Sequence, residues 1–176
     1  MQRRLFILLI ILCPLFSFAQ DWKNFTDTAG NFVAKYPSNW INKIKENNRV
    51  FFTSPADGDN DNFYENINVG VSTGQGYGTT IKIKDVFDEV KKTLQDGLDD
   101  FKEESVRHFK WNNTDATELI YTCNYKLSDD LTMNIRTIQW YCFYKARLYV
   151  VTFVAEAAKS THNSTAQKIM DSIQFK

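Results

Sequence analysis

The residues with the clearest potential for chemistry form an acidic stretch between two predicted strands. Asp57, Asp59 and Asp61 alternate along the chain as the oxygen ligands of a calcium-binding loop do. An EF-hand loop requires glycine at its sixth position and glutamate at its twelfth, but this sequence has Asn62 and Asn68 there. We therefore interpret the stretch as a solvated turn, with weak calcium or manganese binding by the three aspartates as the alternative.

No convergent catalytic group is evident elsewhere in the sequence. His108 and His162 are the only histidines, and nothing in the sequence places a serine, cysteine or aspartate within reach of either one, as a catalytic triad needs. The spacing of histidines and cysteines matches no zinc motif. The glycines between positions 74 and 78 lack the following Gly-Lys-Ser/Thr of a phosphate loop and predict a flexible connection. We predict no enzyme, with a hydrolase acting through the acidic loop (57–65) as the alternative.

Four aromatic residues lie in or beside predicted loops: Trp40, Phe63, Tyr64 and Tyr77. Aromatic side chains are enriched in binding surfaces, so these four are the candidate contacts for a ligand or partner. The alternative is that they fold back over the sheet, since most large apolar side chains are buried.

The first 19 residues have the parts of a secretory signal peptide. Arg3 and Arg4 precede an apolar run, and small residues stand at Ser17 and Ala19. The run is shorter than the 20 or so residues that span a bilayer. A lipoprotein signal at Cys13 is disfavoured, because such signals have a small residue where Leu12 stands. We predict cleavage after Ala19, a single domain over 20–176, a periplasmic or secreted location and no membrane span after cleavage.

The charge balance gives no indication of a polyanionic partner. The whole chain has 21 basic and 21 acidic residues, and removal of Arg3 and Arg4 leaves a slight excess of acid. Such a chain has no global field to attract nucleic acid or an anionic membrane. Nucleic acid is therefore not predicted as a partner. The export signal instead favours an envelope protein or a small ligand, and the oligomeric state is left open.

The stretch 131–155 must organise the fold that positions these residues. Its β-branched and aromatic runs predict a hairpin with a two-residue turn at Lys145-Ala146. This register places Trp140 with Phe153 on one face and Tyr141 with Val150 on the other. Both faces are apolar, which predicts a central position in a sheet covered on both sides.

The remaining pattern predicts further strands and two helices. Strands are predicted at 32–36, 49–53, 66–73, 105–111 and 116–126, whereas 21–31 reads as a polar lead-in. An apolar stripe from Ile83 to Phe101 predicts the first helix. The last helix is expected at about 159–171, with its inward face at Ala158, Thr161, Thr165, Ile169 and Ile173. The predicted class is α+β, a central antiparallel sheet with helices on both faces.

Two cysteines follow the signal peptide, and the predicted pairing keeps them apart. If Ser128–Leu131 forms a tight turn, Cys123 lies opposite Arg136. Cys142 is then about 20 Å further along the strand, whereas a disulfide needs Cα atoms within about 7 Å. We predict two buried free thiols.

Short motifs at strand ends and in the apolar strands resemble those of a known family. They are Phe32 with Tyr36-Pro37-Ser38-Asn39-Trp40, Ser54-Pro55, Ile67-Asn68-Val69, Leu119-Ile120-Tyr121, Leu148-Tyr149 and Ser172-Ile173-Gln174-Phe175. From about Asn24 to Phe175 the chain resembles PsbP-like domains. The resemblance implies an α/β/α sandwich, the absence of a common catalytic motif, and a binding or assembly role with a partner or ligand that it does not identify.

Overall fold

The computed structural model describes residues 20–45, 49–59, 61–159 and 161–176. The predicted signal peptide at 1–19 lies outside the described residues. Two helices and ten strands occur in the part described. They are β1 Trp22–Asp27, β2 Phe32–Pro37, β3 Ile41–Ile44, β4 Val50–Thr53, β5 Asn66–Thr73, α1 Ile83–Gly97, β6 Asp99–Trp111, β7 Thr114–Ser128, β8 Leu131–Tyr144, β9 Arg147–Glu156, α2 Asn163–Ser172 and β10 Gln174–Phe175.

The strands form two antiparallel sheets. The larger sheet has the order β3-β4-β5-β9-β8-β7-β6, and the smaller has the order β1-β2-β10. After β5 the chain passes through α1 to β6, which lies at the opposite edge of the sheet. Strands β7, β8 and β9 then follow in order from that edge, and β9 pairs with β5. Strands β3 and β6 form the edges of the large sheet, and β10 brings the end of the chain onto β2, near its beginning.

The β8–β9 hairpin has the predicted turn and register. Tyr144 pairs with Arg147, and the two turn residues Lys145 and Ala146 have φ values of 47° and 58°. Positive φ at both central residues is the conformation of a type I′ turn, whose twist matches that of the flanking strands. Strand β9 lies between β5 and β8, so the hairpin is central to the sheet as predicted.

Alternate residues of the hairpin belong to two separate apolar clusters. Trp140, Tyr149 and Phe153 are buried in one cluster, which also contains Ile169 and Met170 of α2. The second cluster is built on α1, through Ile83 and Phe87, and includes Tyr141 and Phe143 of β8 and Leu148 and Val150 of β9. The predicted antiparallel sheet accompanied by two helices is confirmed.

The first helix is shorter than its apolar stripe predicted. It ends at Gly97, and β6 begins at Asp99. Asp100 has a φ of 52°, which is incompatible with a continuing right-handed helix. Phe101 then lies in β6, where its ring stacks on Tyr121 at 5.0 Å. Phe101 thus contributes to the core from a strand, although its spacing continues that of the helix. The prediction of helix beyond Gly97 was wrong.

Three other elements also differ from their predictions. Strand β1 occupies the supposed polar lead-in, and β3 was not predicted, because both have mainly exposed side chains and little alternation. The last helix begins at Asn163 rather than near Lys159, and its buried residues are Ala166, Ile169 and Met170. Of the predicted inward face, Ile169 and Ile173 are buried as expected, whereas Ala158 and Thr161 are exposed.

A β-bulge changes the predicted register of Cys123. Ser128 pairs with Leu131 as predicted, but the pairing shifts between Ser128 and Lys126, so that Cys123 faces Ile135 instead of Arg136. The thiols lie in different apolar clusters, and both are buried and free, as predicted.

We expect both thiols of residues 20–176 to be unreactive in the folded protein. Burial raises the pKa of Cys142 to about 12 and also raises the pKa of Cys123, so little of the reactive thiolate exists at pH 8. Ellman's reagent should therefore report two thiols only after a denaturant is added. Rapid labelling of two thiols in native buffer would contradict the packing described here.

The hairpin turn offers a direct test of backbone strain. Ala146 is exposed and has a positive φ, which costs a residue with a Cβ about 1–2 kcal/mol. Ala146→Gly should therefore increase the free energy of unfolding in urea by about 0.5–1 kcal/mol. The matched control is Ala158→Gly, at an exposed turn position whose φ is not positive, where glycine should give no gain. Equal effects of both changes would refute the assigned turn.

Candidate functional site

The loop between β4 and β5 is closed at its base by a buried contact. The backbone N–H of Ser54 donates to the carbonyl oxygen of Glu65 at 2.9 Å. The Ser54 hydroxyl donates to Oε2 of the Glu65 side chain at 3.1 Å. Glu65 is 2% exposed, so the loop ends with a carboxylate held inside the protein.

Asp61 organises the middle of the loop. Its carboxylate is 2% exposed and accepts a hydrogen bond from Lys159 Nζ at 2.8 Å. It also accepts the backbone N–H groups of Asp57 at 2.9 Å and of Phe63 at 3.3 Å. The hydrogen bond from Lys159, followed by those from the backbone, lowers the pKa of Asp61. The loop is thereby fastened to the segment that leads into α2.

The contact between Lys159 and Asp61 is accompanied by a second contact between the same two segments, made by His162. His162 is the residue before α2, and its Nε2 lies 2.9 Å from Asp57 Oδ1 and 4.0 Å from Glu65 Oε2. One ligand atom from each of Asp57, Glu65 and His162 lies within 4.8 Å of the others. We refer to these three residues as the acidic–histidine cluster.

Two atoms of the cluster have unused hydrogen-bonding capacity. Within the described residues, Glu65 Oε1 has no hydrogen-bond partner, although the atom is buried. His162 Nε2 is also buried and makes no hydrogen bond among the described residues, although Asp57 Oδ1 lies 2.9 Å from it. Buried polar atoms are normally satisfied, so this pair marks a place where a further binding partner would be favourable.

The chemistry of the cluster is that of binding rather than of a nucleophile. Two carboxylates and an imidazole can hold a proton or a divalent cation between them. The Ser54 hydroxyl donates to Glu65 instead of to His162, so these residues do not form the nucleophile and base pair of a triad.

The three aspartates of the predicted metal loop have different environments. Asp57 belongs to the acidic–histidine cluster, Asp61 is engaged by Lys159, and Asp59 is exposed. The sequence interpretation found the loop but missed Glu65 and His162 as members of one site. Glu65 precedes a strand and His162 precedes a helix, so no local spacing connects them.

The four candidate aromatic residues are also in different environments. Trp40 is 3% exposed and packs edge-on against His162 at 5.6 Å, so it is not the surface contact proposed but folds back, as the alternative interpretation expects. Phe63 and Tyr77 are partly buried against the second apolar cluster, the one that contains α1, and the ring of Tyr77 stacks on that of Phe143 at 4.4 Å. Tyr64 is 50% exposed. Of the four, Tyr64 presents the largest accessible surface.

A concave region lies beside the start of α1. It has a volume of about 620 Å³ and is lined in part by Lys82, Lys84, His108 and Lys110. Asp115 also lines it and pairs with Lys110 at 2.8 Å, so part of the positive charge is already neutralised.

Comparison with solved structures shows which fold these elements make. CyanoP, the cyanobacterial PsbP from Synechocystis sp. PCC 6803, matches with a TM-score of 0.63 and 17% identity, covering 93% of this chain and 97% of that one. PA94 from Pseudomonas aeruginosa matches at 0.60 and 13%, covering 85% and 94%. The Ran-binding protein Mog1p from Saccharomyces cerevisiae matches at 0.56 and 11%, covering 89% and 96%. A search of curated proteins finds no match.

These strands and helices therefore form an α+β domain of the PsbP-like fold. The model of the PsbP family matches residues 20–175, and the chain belongs to that family. Among the described residues, neither helix has the length and apolar character needed to cross a membrane.

The Asp61–Lys159 contact predicts a specific dependence of stability on pH. The folded-state pKa of Asp61 lies below its unfolded value, so the contact stabilises the protein above about pH 4 and is lost as the pH falls through the folded pKa. Asp61→Asn should therefore lower the free energy of unfolding at pH 7, and the difference from the parent chain should shrink towards pH 2. Urea titrations at both pH values measure this.

The control for this experiment is Asp59→Asn in the same loop, because Asp59 is exposed. It should change stability little at either pH. A loss at pH 7 from Asp59→Asn as large as that from Asp61→Asn would contradict the assigned role of Asp61.

Proposed function

We propose that this chain is an exported, non-catalytic binding module that works with a protein partner in the cell envelope. The observation that carries the proposal is its membership of the PsbP family over residues 20–175. A fold neighbour, Mog1p, is a Ran-binding protein, which supports protein binding as a use of this fold. Export is supported by the basic and apolar pattern of residues 1–19, with cleavage after Ala19.

We also infer that α1 and α2 cover opposite faces of the large sheet. Successive residues of a strand point to opposite faces, and along β9 Tyr149 and Val151 share a cluster with α2 while Leu148 and Val150 share one with α1. With both faces occupied by helices, a partner would contact the loops and edges.

Tyr64 is the contact residue that the loop supports best. It is 50% exposed, and it is flanked by Phe63, whose N–H is held by Asp61, and by the buried Glu65. Because these contacts fix the backbone on both sides, the exposed ring can bind without a large loss of loop entropy. Ile41, on the neighbouring edge strand β3, adds a side chain that is 56% exposed.

Site-specific cross-linking in intact cells tests this function. A photoreactive amino acid is placed at position 64, and the cells are irradiated before the envelope is extracted. The expected result is a discrete covalent adduct between this chain and one envelope protein, because a partner at the loop lies within reach of the side chain. Denaturing electrophoresis detects the adduct and mass spectrometry identifies it.

The matched control is the same amino acid at position 125. Tyr125 is also 50% exposed, but it lies on β7, which is separated from β5 by β9 and β8 in the large sheet. We expect no discrete adduct there. Failure of position 64 to yield an adduct above the level at position 125 would count against a partner at this loop.

A further inference from the structure

We propose that Asp57, Glu65 and His162 form a binding site for a divalent transition-metal ion of the zinc class. The residues come from the β4–β5 loop and from the start of α2, and their ligand atoms lie within 4.8 Å of one another. This set differs from the three aspartates that the sequence suggested, and it does not depend on the proposed protein partner.

The spacing of the donor atoms suits one small cation. Zinc binds nitrogen and oxygen at about 2.0–2.2 Å, so two donors on a tetrahedral zinc ion lie about 3.4 Å apart. The distances from His162 Nε2 to Asp57 Oδ1 and to Glu65 Oε2 are 2.9 Å and 4.0 Å, one on each side of that value. Small side-chain rotations would bring all three donors to coordinating distance.

Burial supplies a second, independent indication of a ligand. The Glu65 side chain is 2% exposed, and the Ser54 hydroxyl is the donor that reaches its Oε2. The other carboxylate oxygen, Oε1, is buried without a hydrogen-bond partner among the described residues, as is His162 Nε2. A buried carboxylate with one unpaired oxygen is costly, and a cation bound at the cluster would compensate its charge.

The charges around the cluster also fit a divalent ion. Two carboxylates carry two negative charges, which balance the ion when His162 binds through a neutral nitrogen. The nearby ammonium of Lys159 is engaged by Asp61 at 2.8 Å and by Glu156 at 3.1 Å. The positive end of the α2 dipole opposes a cation at His162, but its effect is about half an elementary charge.

The types of donor define the class of metal. Calcium and magnesium prefer sites made of oxygen ligands, whereas an imidazole nitrogen favours ions such as zinc, iron, nickel and copper. Three protein ligands leave a coordination position for water or another group, as in zinc sites that are not closed by a fourth side chain. The site is therefore expected to select Zn²⁺ over Ca²⁺.

Titration of the untagged full chain with Zn²⁺ tests the proposal. After treatment with a chelator, calorimetry and competition with a zinc indicator should give one ion bound per chain, with a large molar excess of Ca²⁺ having no effect. Asp57→Asn, Glu65→Gln and His162→Gln should each weaken binding by about 100-fold or more, because loss of a residue that only hydrogen-bonds to a metal ligand already costs about 10–100-fold.

Two matched variants control for nonspecific binding. Asp59→Asn removes an exposed carboxylate from the same loop, and His108→Gln removes the other histidine, whose ring contacts Thr117. Neither should change the affinity. The proposal is overturned if the parent chain binds no Zn²⁺, if Ca²⁺ competes equally, or if the controls weaken binding as much as the cluster variants.

Circular dichroism establishes that each variant is folded. Glu65 is buried and pairs with Ser54, so its substitution can disturb the loop, whereas Asp57 is an exposed residue. If Glu65→Gln does not fold, the result for Asp57→Asn decides the question. Unchanged Zn²⁺ affinity in folded Asp57→Asn would refute the site whatever the outcome of cross-linking at position 64.

Discussion

Burial of β8 and β9 on both faces is the constraint on which the rest of the fold depends. A strand with one polar face can leave that face in water, but these strands place large apolar residues on both sides and need cover on each. The indole N–H of Trp140, now inside the protein, also needs an acceptor, and Glu118 on β7 provides it at 2.7 Å. Glu118 in turn forms an ion pair with Arg107 on the edge strand β6. The hydrogen bond of one core residue on β8 is therefore part of a polar chain that crosses β7 and reaches β6.

The acidic–histidine cluster depends on the same packing at longer range. Ile169 and Met170 anchor α2 in the core, and this packing places His162 against the β4–β5 loop. Lys159 and Asp61 hold the two segments together, while Ser54 fixes the Glu65 carboxylate from the opposite end of the loop. The site therefore joins two elements that share no local sequence pattern, and its geometry is set by the core rather than by the loop alone.

The sequence was most informative where the pattern itself determined the geometry. The two-residue turn at Lys145–Ala146 fixed the register, and the register fixed which residues of β8 and β9 share a face. The sequence was misleading where a local irregularity interrupts a regular pattern. The bulge beside Ser128 shifts the strand pairing by one residue and so changes the partner of Cys123. The first helix ends at Gly97 although the apolar spacing continues beyond it. The cluster escaped prediction because neither periodicity nor motif spacing encodes a contact between a loop and a distant helix start.

The pairing of β2 with β10 has a consequence for the order in which the molecule can be completed. Lys35 and Ser172 exchange hydrogen bonds across 137 residues, and Phe175, in the last strand, faces Phe32. A chain synthesised from its N-terminus exposes β2 long before this partner exists, and closing so long a loop is slow compared with forming a hairpin. The β1–β2 hairpin of the smaller sheet can therefore form early from local contacts, whereas β10 is added to β2 only by a long-range contact.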